Sequence, residues 1–294
     1  MKYGPLVFLA AFFAIAGSWL GFVFTPQLQL GRLQQTNAVP SGPAYPVARP
    51  GLAQQGRDVY RANGCATCHS QQVGQTGTIF NVSLADAGTN RAATTTAVLK
   101  VNPALSAADA GQLLAALPKV VLTGTTKEAA ESAVKTLAVG GGKAQIAIVP
   151  VGPDLARGWG KRRSVAQDFL FDSPVMLGAQ RIGPDLANVG LRAPDANWHL
   201  RHLYAPRSEV KGSTMPTYRF LYEKRRIERT PSPEAIGLPS AFAPEAGYEI
   251  VPTADAKALV AYLQSLRADV PLFTAPFAFA AAPAETNGTN ALIR

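Results

Sequence analysis

Residues 51–73 read GLAQQGRDVYRANGCATCHSQQV, and this stretch decides the fold of the chain. Its apolar and small residues predict a short amphipathic helix that runs into the pattern C-x-x-C-H, at Cys65, Cys68 and His69. The chain has no other cysteine, and a disulfide that closes so short a loop would add little stability. The pattern therefore predicts chemistry: a redox dithiol, a metal site or haem attachment.

Haem attachment is the interpretation that the surrounding sequence favours. A thioredoxin-like dithiol would follow a strand within a βαβ pattern, and no strand pattern precedes the cysteines. A zinc site needs four ligands, and the other histidines are only His199 and His202. In haem attachment the two thiols add to the vinyl groups, and the histidine is held beneath the iron as an axial ligand. We therefore expect one covalent haem c, with its iron, on Cys65, Cys68 and His69.

The second axial ligand has several candidates. Beyond Met1 the chain has two methionines, Met176 and Met215. Met215 lies in KGSTMPTYRF, where the following proline favours an extended loop that can present a thioether, whereas the apolar neighbours of Met176 indicate a core position. His199 and His202 share one helical face and offer a bis-histidine alternative. Met215 is favoured, and His/Met ligation would suit electron transfer because it leaves no open position.

Two similar loops could orient the His69 ring. They read Gly-Pro-Asp-Leu-Ala at 152–156 and at 183–187. A rigid Gly-Pro turn can aim its carbonyl oxygen at a histidine ring, as a Gly-Pro-x-Leu loop does in many c-type cytochromes. We expect the second copy, with Pro184 and Leu186, to contact the haem, and the first copy could be an echo without function.

The amino-terminal segment has the length and composition of a membrane anchor. Residues 6–24 read LVFLAAFFAIAGSWLGFVF and carry no charge, and as a helix they would span roughly 28 Å, close to the hydrocarbon thickness of a bilayer. The competing interpretation is a cleaved signal peptide, but the run is long and no small-x-small cleavage site follows it. We expect an anchor at 1–30, followed by a linker at 31–50 whose three prolines between 36 and 49 predict an extended spacer.

The charge balance argues against nucleic acid as a partner. The 294-residue chain has a formal net charge of +9, and its largest basic run is Lys224, Arg225, Arg226 and Arg229. A basic run in a chain with a membrane anchor indicates a docking surface or a patch that faces lipid headgroups.

A group of motifs resembles one known family. The motifs are G-R-D-V-Y at 56–60, C-x-x-C-H-S-Q-Q at 65–72, R-I-G-P-D-L-A at 181–187, W-H-x-x-H-L at 198–203, P-R at 206–207 and S-T-M-P-T-Y at 213–218. Together they resemble the mono-haem subunit II of cbb3-type cytochrome c oxidase, over about residues 1–74 and 160–266.

The resemblance implies His69 and Met215 as the axial ligands. It also implies a non-catalytic electron-transfer subunit of an oxidoreductase complex. The chain would take electrons from the multi-haem cytochrome c subunit or a soluble donor and pass them to the haem–copper catalytic subunit. The location would be a bacterial cytoplasmic (inner) membrane, with a single pass and the haem domain on the periplasmic side. The alternatives are the small cytochrome c subunit of a nitric oxide reductase and a haem-based redox or gas sensor.

The predicted fold is mainly α: a transmembrane helix and a cytochrome c-like helical domain at 51–74 and 158–272, with a small inserted α/β module at 75–157. Helix starts at Ser106 and Thr126 and a strand at 145–149 give the module a faint resemblance to the C-terminal domain of the ribosomal stalk protein, expected here as two helices and three strands. A basic helix is predicted at 220–229 and a last core helix from Thr253. The Ala/Pro-rich tail, 273–294, is predicted to be disordered.

Overall fold

The computed structural model describes residues 3–37 and 44–270, so the predicted tail at 273–294 lies outside the described residues. The chain divides into two compact units. The first comprises Met1–Gln71, Ser164–Pro184 and Asp195–Ser265, and the second comprises Gln72–Arg163, Asp185–Pro194 and Leu266–Arg294.

The helices, in chain order, are α1 (Gly4–Leu30), α2 (Gly51–Ala62), α3 (Arg91–Val101), α4 (Ala107–Ala115), α5 (Lys127–Val139), α6 (Pro153–Ala156), α7 (Val189–Arg192), α8 (Ala196–Tyr204), α9 (Pro206–Glu209) and α10 (Ala254–Ser265). The strands are β1 (Thr36–Asn37), β2 (Ala44–Tyr45), β3 (Gly77–Asp86), β4 (Lys119–Thr125), β5 (Lys143–Val151), β6 (Tyr222–Arg226) and β7 (Tyr248–Pro252). Short 3₁₀ turns occur at Cys65–Thr67, Ala166–Phe169 and Arg219–Leu221. The predicted fold class, a helical domain with an apolar amino-terminal helix and a small α/β module, is confirmed.

Helix α1 is long and apolar enough to cross a membrane, and it is the one such helix in the described ranges. It has a π-helical turn at Leu20–Phe24. Pro26 follows this turn and has no N–H to donate to the preceding carbonyls. The Leu20 carbonyl accepts two hydrogen bonds from Thr25, one from its backbone N–H and one from its hydroxyl at 2.8 Å. The helix is thus longer than the apolar run at 6–24 that predicted it.

Two of the three linker prolines, Pro40 and Pro43, lie outside the described residues, and the described residues on either side make contacts that an extended spacer would lack. Strand β1 pairs with β2 in antiparallel register. The Tyr45 hydroxyl donates to Asp168 at 2.8 Å, and Arg49 forms an ion pair with Asp172, whose side chain is 5% exposed. These side-chain contacts hold the linker residues 44–49 against residues 168–172 of the same unit. The proline content of the linker could not reveal them.

The first unit is built around the crossing of α2 with α10, the helix that corresponds to the last core helix predicted from Thr253. A Cβ added at Gly56 would lie only 1.8 Å from the Ala258 carbonyl oxygen, so the two backbones touch there. One turn further along, the buried rings of Tyr60 and Tyr262 pack with centroids 5.3 Å apart. A glycine at this crossing lets the helices approach and bury both aromatic rings.

The basic helix predicted at 220–229 is wrong. Residues 222–226 form strand β6, which pairs antiparallel with β7. The pairing places Arg225 beside Glu249 at 2.7 Å, and Lys224 reaches Glu245 on the connecting loop. Helix propensity is a weak preference that tertiary pairing overrides, and here a strand 22 or more residues away in sequence supplies the partner.

The α/β module contains a three-stranded antiparallel sheet in the order β4-β3-β5. Helices α3, α4 and α5 cover it, with a core that includes Val82, Leu84, Val98 and Leu137. The expectation of two helices is wrong, because the segment at 98–101 ends a third helix, α3. Three consecutive threonines disfavoured this helix in the sequence, but their hydroxyls donate to carbonyls four residues earlier and remain satisfied. The predicted boundaries of the module, 75–157, stay a prediction.

Replacing Gly56 with alanine tests the helix crossing. The added methyl group has no room against the Ala258 carbonyl, so Gly56→Ala should lower the free energy of unfolding by about 1–3 kcal/mol. Denaturation of the full chain in detergent measures this. Gly51→Ala is the control, because a Cβ there meets nothing within 4 Å. Equal stability of the two variants would contradict the close crossing.

Candidate functional site

The C-x-x-C-H residues lie immediately after α2. Gly64 takes a left-handed conformation, with φ of 65°, which ends the helix and lets the chain turn into the 3₁₀ turn at Cys65–Thr67. The His69 N–H donates to the Cys65 carbonyl at 3.0 Å. Cys65 and Cys68 are free thiols, each partly buried. This single compact turn presents both sulfurs and the histidine together.

The second Gly-Pro-Asp-Leu-Ala copy meets the His69 ring. The Pro184 carbonyl oxygen lies 2.8 Å from His69 Nδ1, and the Gly183 N–H donates to the Cys68 carbonyl at 2.9 Å. A Cβ added at Gly183 would lie 2.2 Å from His69 Cε1, so the imidazole occupies the space that any side chain would need. The Pro184 carbonyl can only accept a hydrogen bond, so the proton of the neutral His69 ring lies on Nδ1. This contact fixes the ring and leaves Nε2 for another partner.

Tyr218 contacts the attachment cysteines. Its hydroxyl hydrogen-bonds the Cys65 thiol. Burial raises the pKa of Cys65 to about 11, and the tyrosine hydrogen bond opposes part of that rise. Burial likewise raises the pKa of Tyr218, together with the charges of the two cysteines. Both groups are therefore neutral at physiological pH.

Met215 lies half-buried on the loop that ends at Tyr218. Its N–H donates to the Ser213 hydroxyl at 3.3 Å, and the Tyr218 N–H donates to the Leu203 carbonyl of α8 at 2.9 Å. The loop is thus anchored at α8 and reaches the Cys65 thiol through Tyr218. Met215 precedes Tyr218 by three positions in the chain, and it is Tyr218 that contacts the attachment turn. Met176 is buried, as expected.

The two histidines of α8 are both inside the first unit. His199 is 3% exposed. The His202 ring stacks on Trp198 with centroids 4.7 Å apart and planes 7° apart. Its Nδ1 is buried and has no hydrogen-bond partner among the described residues. Burial, reinforced by His199, lowers the pKa of His202, so this ring is neutral.

The extension S-Q-Q after His69 has structural partners that the sequence did not reveal. Gln71 is 3% exposed, and its side-chain amide exchanges hydrogen bonds of 3.0 and 3.1 Å with the Tyr262 hydroxyl on α10. The Ser70 hydroxyl accepts from Arg181 Nε at 2.8 Å. The extension therefore connects the attachment turn to the last helix and to the loop that leads to Pro184. Its position directly after C-x-x-C-H was the sequence signal for these contacts.

Within the second unit, both Gly-Pro-Asp-Leu-Ala copies bind the chain that leaves the attachment turn. Asp185, fully buried, accepts the Gln72 N–H at 2.8 Å. Asp154, 5% exposed, accepts the Gly74 N–H at 2.7 Å. The first copy, expected as a possible echo without function, thus repeats the hydrogen bond of the second copy two residues further on. Leu186, predicted to contact a cofactor, is buried in this unit.

A zinc site gains no support from the geometry. The described ranges, 3–37 and 44–270, hold no group of three or more His, Cys, Asp or Glu side chains that could bind a metal ion.

Replacing Asp154 with alanine should expose the role of the first copy. The Gly74 N–H would lose its buried acceptor, which costs about 1–3 kcal/mol. We expect faster amide exchange at Gly74 and a lower free energy of unfolding. Asp86→Ala is the control, because Asp86 accepts the Gly88 N–H at an exposed position where water can replace it. A stability loss no larger than that of the control would contradict the buried role.

The raised pKa of Cys65 makes a testable prediction in chain expressed without haem attachment. With Cys68→Ser, only Cys65 can be alkylated, and its rate with iodoacetamide should rise about tenfold per pH unit up to its pKa, because the thiolate reacts. Tyr218→Phe removes a hydrogen bond that favours the thiolate, so alkylation at a given pH should slow. Tyr248→Phe should have no effect. A rate that levels off near pH 9 would contradict the burial of the thiol.

Comparison with known proteins agrees with the predicted resemblance. Residues 147–237 match the family model described as "Cytochrome C oxidase, mono-heme subunit/FixO". The match includes Pro184, Leu186 and Met215 and begins after the attachment turn. No curated protein matches the chain. Over these residues, about a third of the chain, the match supports the predicted resemblance to the mono-haem subunit of cytochrome c oxidase.

Proposed function

We propose that the chain is a membrane-anchored mono-haem c-type cytochrome that passes electrons to the haem–copper catalytic subunit of a cbb3-type terminal oxidase. The observation that carries the proposal is the contact of His69 Nδ1 with the Pro184 carbonyl, within a C-x-x-C-H turn whose two cysteines form no disulfide. A metal-binding histidine almost always donates its other ring N–H to such an acceptor.

The residues of the attachment turn fit a covalent haem. Cys65 and Cys68 would hold the porphyrin edge through thioether bonds, and His69 would bind the iron through Nε2. Gly183 supports this assignment because it has no side chain, and the His69 ring occupies the space that a side chain would fill. When bound, the haem supplies a reversible one-electron couple at its iron; the residues of this chain hold it, orient its ligand and shield it from water.

The surroundings of the two side chains support Met215, and not His202, as the second axial ligand. Binding iron through Nε2 would put a proton on Nδ1 of His202, and that atom is buried without an acceptor in the described part of the chain. An unsatisfied buried donor costs about 1–3 kcal/mol. His69 has the acceptor that His202 lacks. The Met215 loop also reaches the attachment turn through Tyr218.

A His/Met site has direct consequences for the role of the chain. His69 and Met215 would together hold the iron and leave it no open position, so the haem would supply electron transfer instead of gas binding, and the methionine would raise its potential. This disfavours the sensor hypothesis. The family match supports an oxidase in preference to a nitric oxide reductase. The isolated chain would catalyse no reaction of its own.

The proposed partners follow from membership in an oxidase complex. The multi-haem cytochrome c subunit or a soluble donor would supply electrons, and the haem–copper subunit would receive them. Helix α1 would hold the chain in a bacterial cytoplasmic membrane among lipids. Lys2 precedes the apolar run and favours a cytoplasmic amino terminus, which would put the haem domain on the periplasmic side.

Met215→Ala tests the ligand assignment. We expect loss of the sulfur-to-iron charge-transfer band in the oxidised spectrum of the purified full chain and a reduction potential lower by roughly 100 mV or more. Met176→Leu, a change in the buried core, should keep both values.

An unchanged band in Met215→Ala would remove Met215 from the iron and contradict the proposed His/Met site. His202→Gln separates the alternative, because it should leave the band in place if Met215 is the ligand. Loss of the band in His202→Gln with retention in Met215→Ala would instead favour bis-histidine ligation.

A further inference from the structure

The linker after the anchor helix doubles back before it joins the rest of the first unit. Thr36 of β1 pairs with Tyr45 of β2, and the Gln35 side-chain amide donates to the Pro46 carbonyl at 2.9 Å. Gln35 and Pro46 are 11 positions apart, and an extended chain of that length would separate them by roughly 36 Å. The linker therefore has two arms that lie side by side, and the first arm follows directly on the end of α1 at Leu30.

The segment at 165–172 holds both arms of the linker. The Gln167 side-chain amide donates to the Gln34 carbonyl on the first arm, and it also contacts the Tyr45 carbonyl on the second arm at 3.3 Å. The Tyr45 hydroxyl donates to Asp168 at 2.8 Å. One short segment thus binds the chain where it leaves the anchor helix and again where it enters the domain.

Arg49 connects the linker to the attachment turn. Its guanidinium forms an ion pair with Asp172, whose side chain is 5% exposed, and lies 5.4 Å from the centre of the Tyr262 ring. The Tyr262 hydroxyl exchanges hydrogen bonds with Gln71, two residues after His69. A largely buried ion pair is screened little by salt, and a planar guanidinium holds a carboxylate and a ring in a defined geometry. A continuous set of contacts therefore leads from the linker to the attachment turn.

These linker contacts decide how the first unit is held relative to its anchor. No residue of α1 is buried against the rest of the chain, so the helix contributes little to that position. A flexible linker of about 20 residues would have a root-mean-square length of roughly 25 Å. Without the contacts, the attachment turn could sweep over a distance of that order.

We propose that Tyr45, Arg49 and Gln167 form a latch that holds the attachment turn at one distance and orientation from the anchor helix. The three are positioning residues, because each acts on the linker and not on the iron. The chain would then pass electrons from a fixed position and would not swing between its donor and its acceptor. This consequence for electron transfer rests on the proposed function, whereas the latch itself does not depend on haem.

The test measures the distance between the anchor helix and the domain. Two spin labels are attached to p-acetylphenylalanine, introduced in place of Gln29 on α1 and Glu223 on β6, which are both exposed. This chemistry leaves Cys65 and Cys68 unmodified. Pulsed electron paramagnetic resonance of the purified full chain in phosphatidylcholine nanodiscs gives the distribution of label distances.

Two latch variants break different contacts. Arg49→Gln removes the ion pair with Asp172. Tyr45→Phe combined with Gln167→Ala removes the hydrogen bonds of the two arms and keeps the ion pair, so this variant decides the outcome if an unpaired Asp172 carboxylate impairs folding. The control, Arg61→Gln with Tyr248→Phe, makes the same kinds of change at exposed positions of the same unit.

We expect one narrow distance distribution for wild type and control, and a distribution broader by about twofold or more in the latch variants, because a released linker samples the lengths of a flexible chain. A wild-type distribution as broad as that of the latch variants would overturn the proposal. Equal broadening in the control, or an unchanged width in both latch variants, would also overturn it.

The optical spectrum of Met215→Ala tests the haem site separately. A broad wild-type distribution together with an intact charge-transfer band in the wild-type spectrum would refute the latch and leave the proposed function in place. A narrow distribution in a chain that carries no covalent haem would refute the proposed function and keep the latch.

Discussion

The hydrogen bond between the His69 ring and the Pro184 carbonyl is the constraint on which the first unit depends. It joins residues 115 positions apart in the chain. Proline has no N–H to satisfy and a fixed φ, so its carbonyl direction is set by the turn and not by a competing hydrogen bond. Gly183 adds the complementary condition, since its N–H binds the Cys68 carbonyl and its bare Cα faces the imidazole.

Further hydrogen bonds hold this arrangement in place on the other side of the attachment turn. Gln71 connects it to Tyr262 on the last helix, and Ser70 connects it to Arg181, three residues before Pro184. Each contact joins parts of the chain that are distant in sequence. A polar group buried at such a junction restricts the geometry more strongly than an apolar one, because a small displacement leaves a donor or acceptor unsatisfied. The side chains of the protein itself therefore orient the attachment turn.

The α/β module occupies much of the sequence between His69 and Pro184. Its first and last strands, β3 and β5, are neighbours in the sheet, and Gly77 pairs with Val151. The Thr76 N–H also donates to the Val151 carbonyl at 3.0 Å. The module thus begins and ends at nearly the same point. A folded unit whose ends meet can be accommodated in a loop of another domain without stretching it, and the paired Asp154 and Asp185 contacts fix the backbone just before the module begins.

The sequence by itself determined the features that are local in the chain. The spacing of Cys65, Cys68 and His69, the apolar run of α1, the helix starts at Ser106 and Thr126 and the Gly-Pro turn at Pro184 all depend on neighbouring residues. Each of them could be predicted, because their physical causes act within a few positions. The extended loop before Pro216 favoured Met215 as a ligand and the family resemblance implied the same, but this role stays a prediction.

Tertiary structure decided the features that need a distant partner. The stretch at 222–226 has the composition of a helix but forms a strand because β7 pairs with it. The linker residues Tyr45 and Arg49 are held by Asp168 and Asp172, which lie more than 120 positions away. The burial of His202 Nδ1 without an acceptor among the described residues, and the buried hydrogen bond of Asp154 with the Gly74 N–H, both depend on tertiary packing. Neighbouring residues in the sequence do not determine that packing. Local sequence fixes backbone preference and side-chain chemistry, whereas only the folded chain decides which donors, acceptors and charges find a partner.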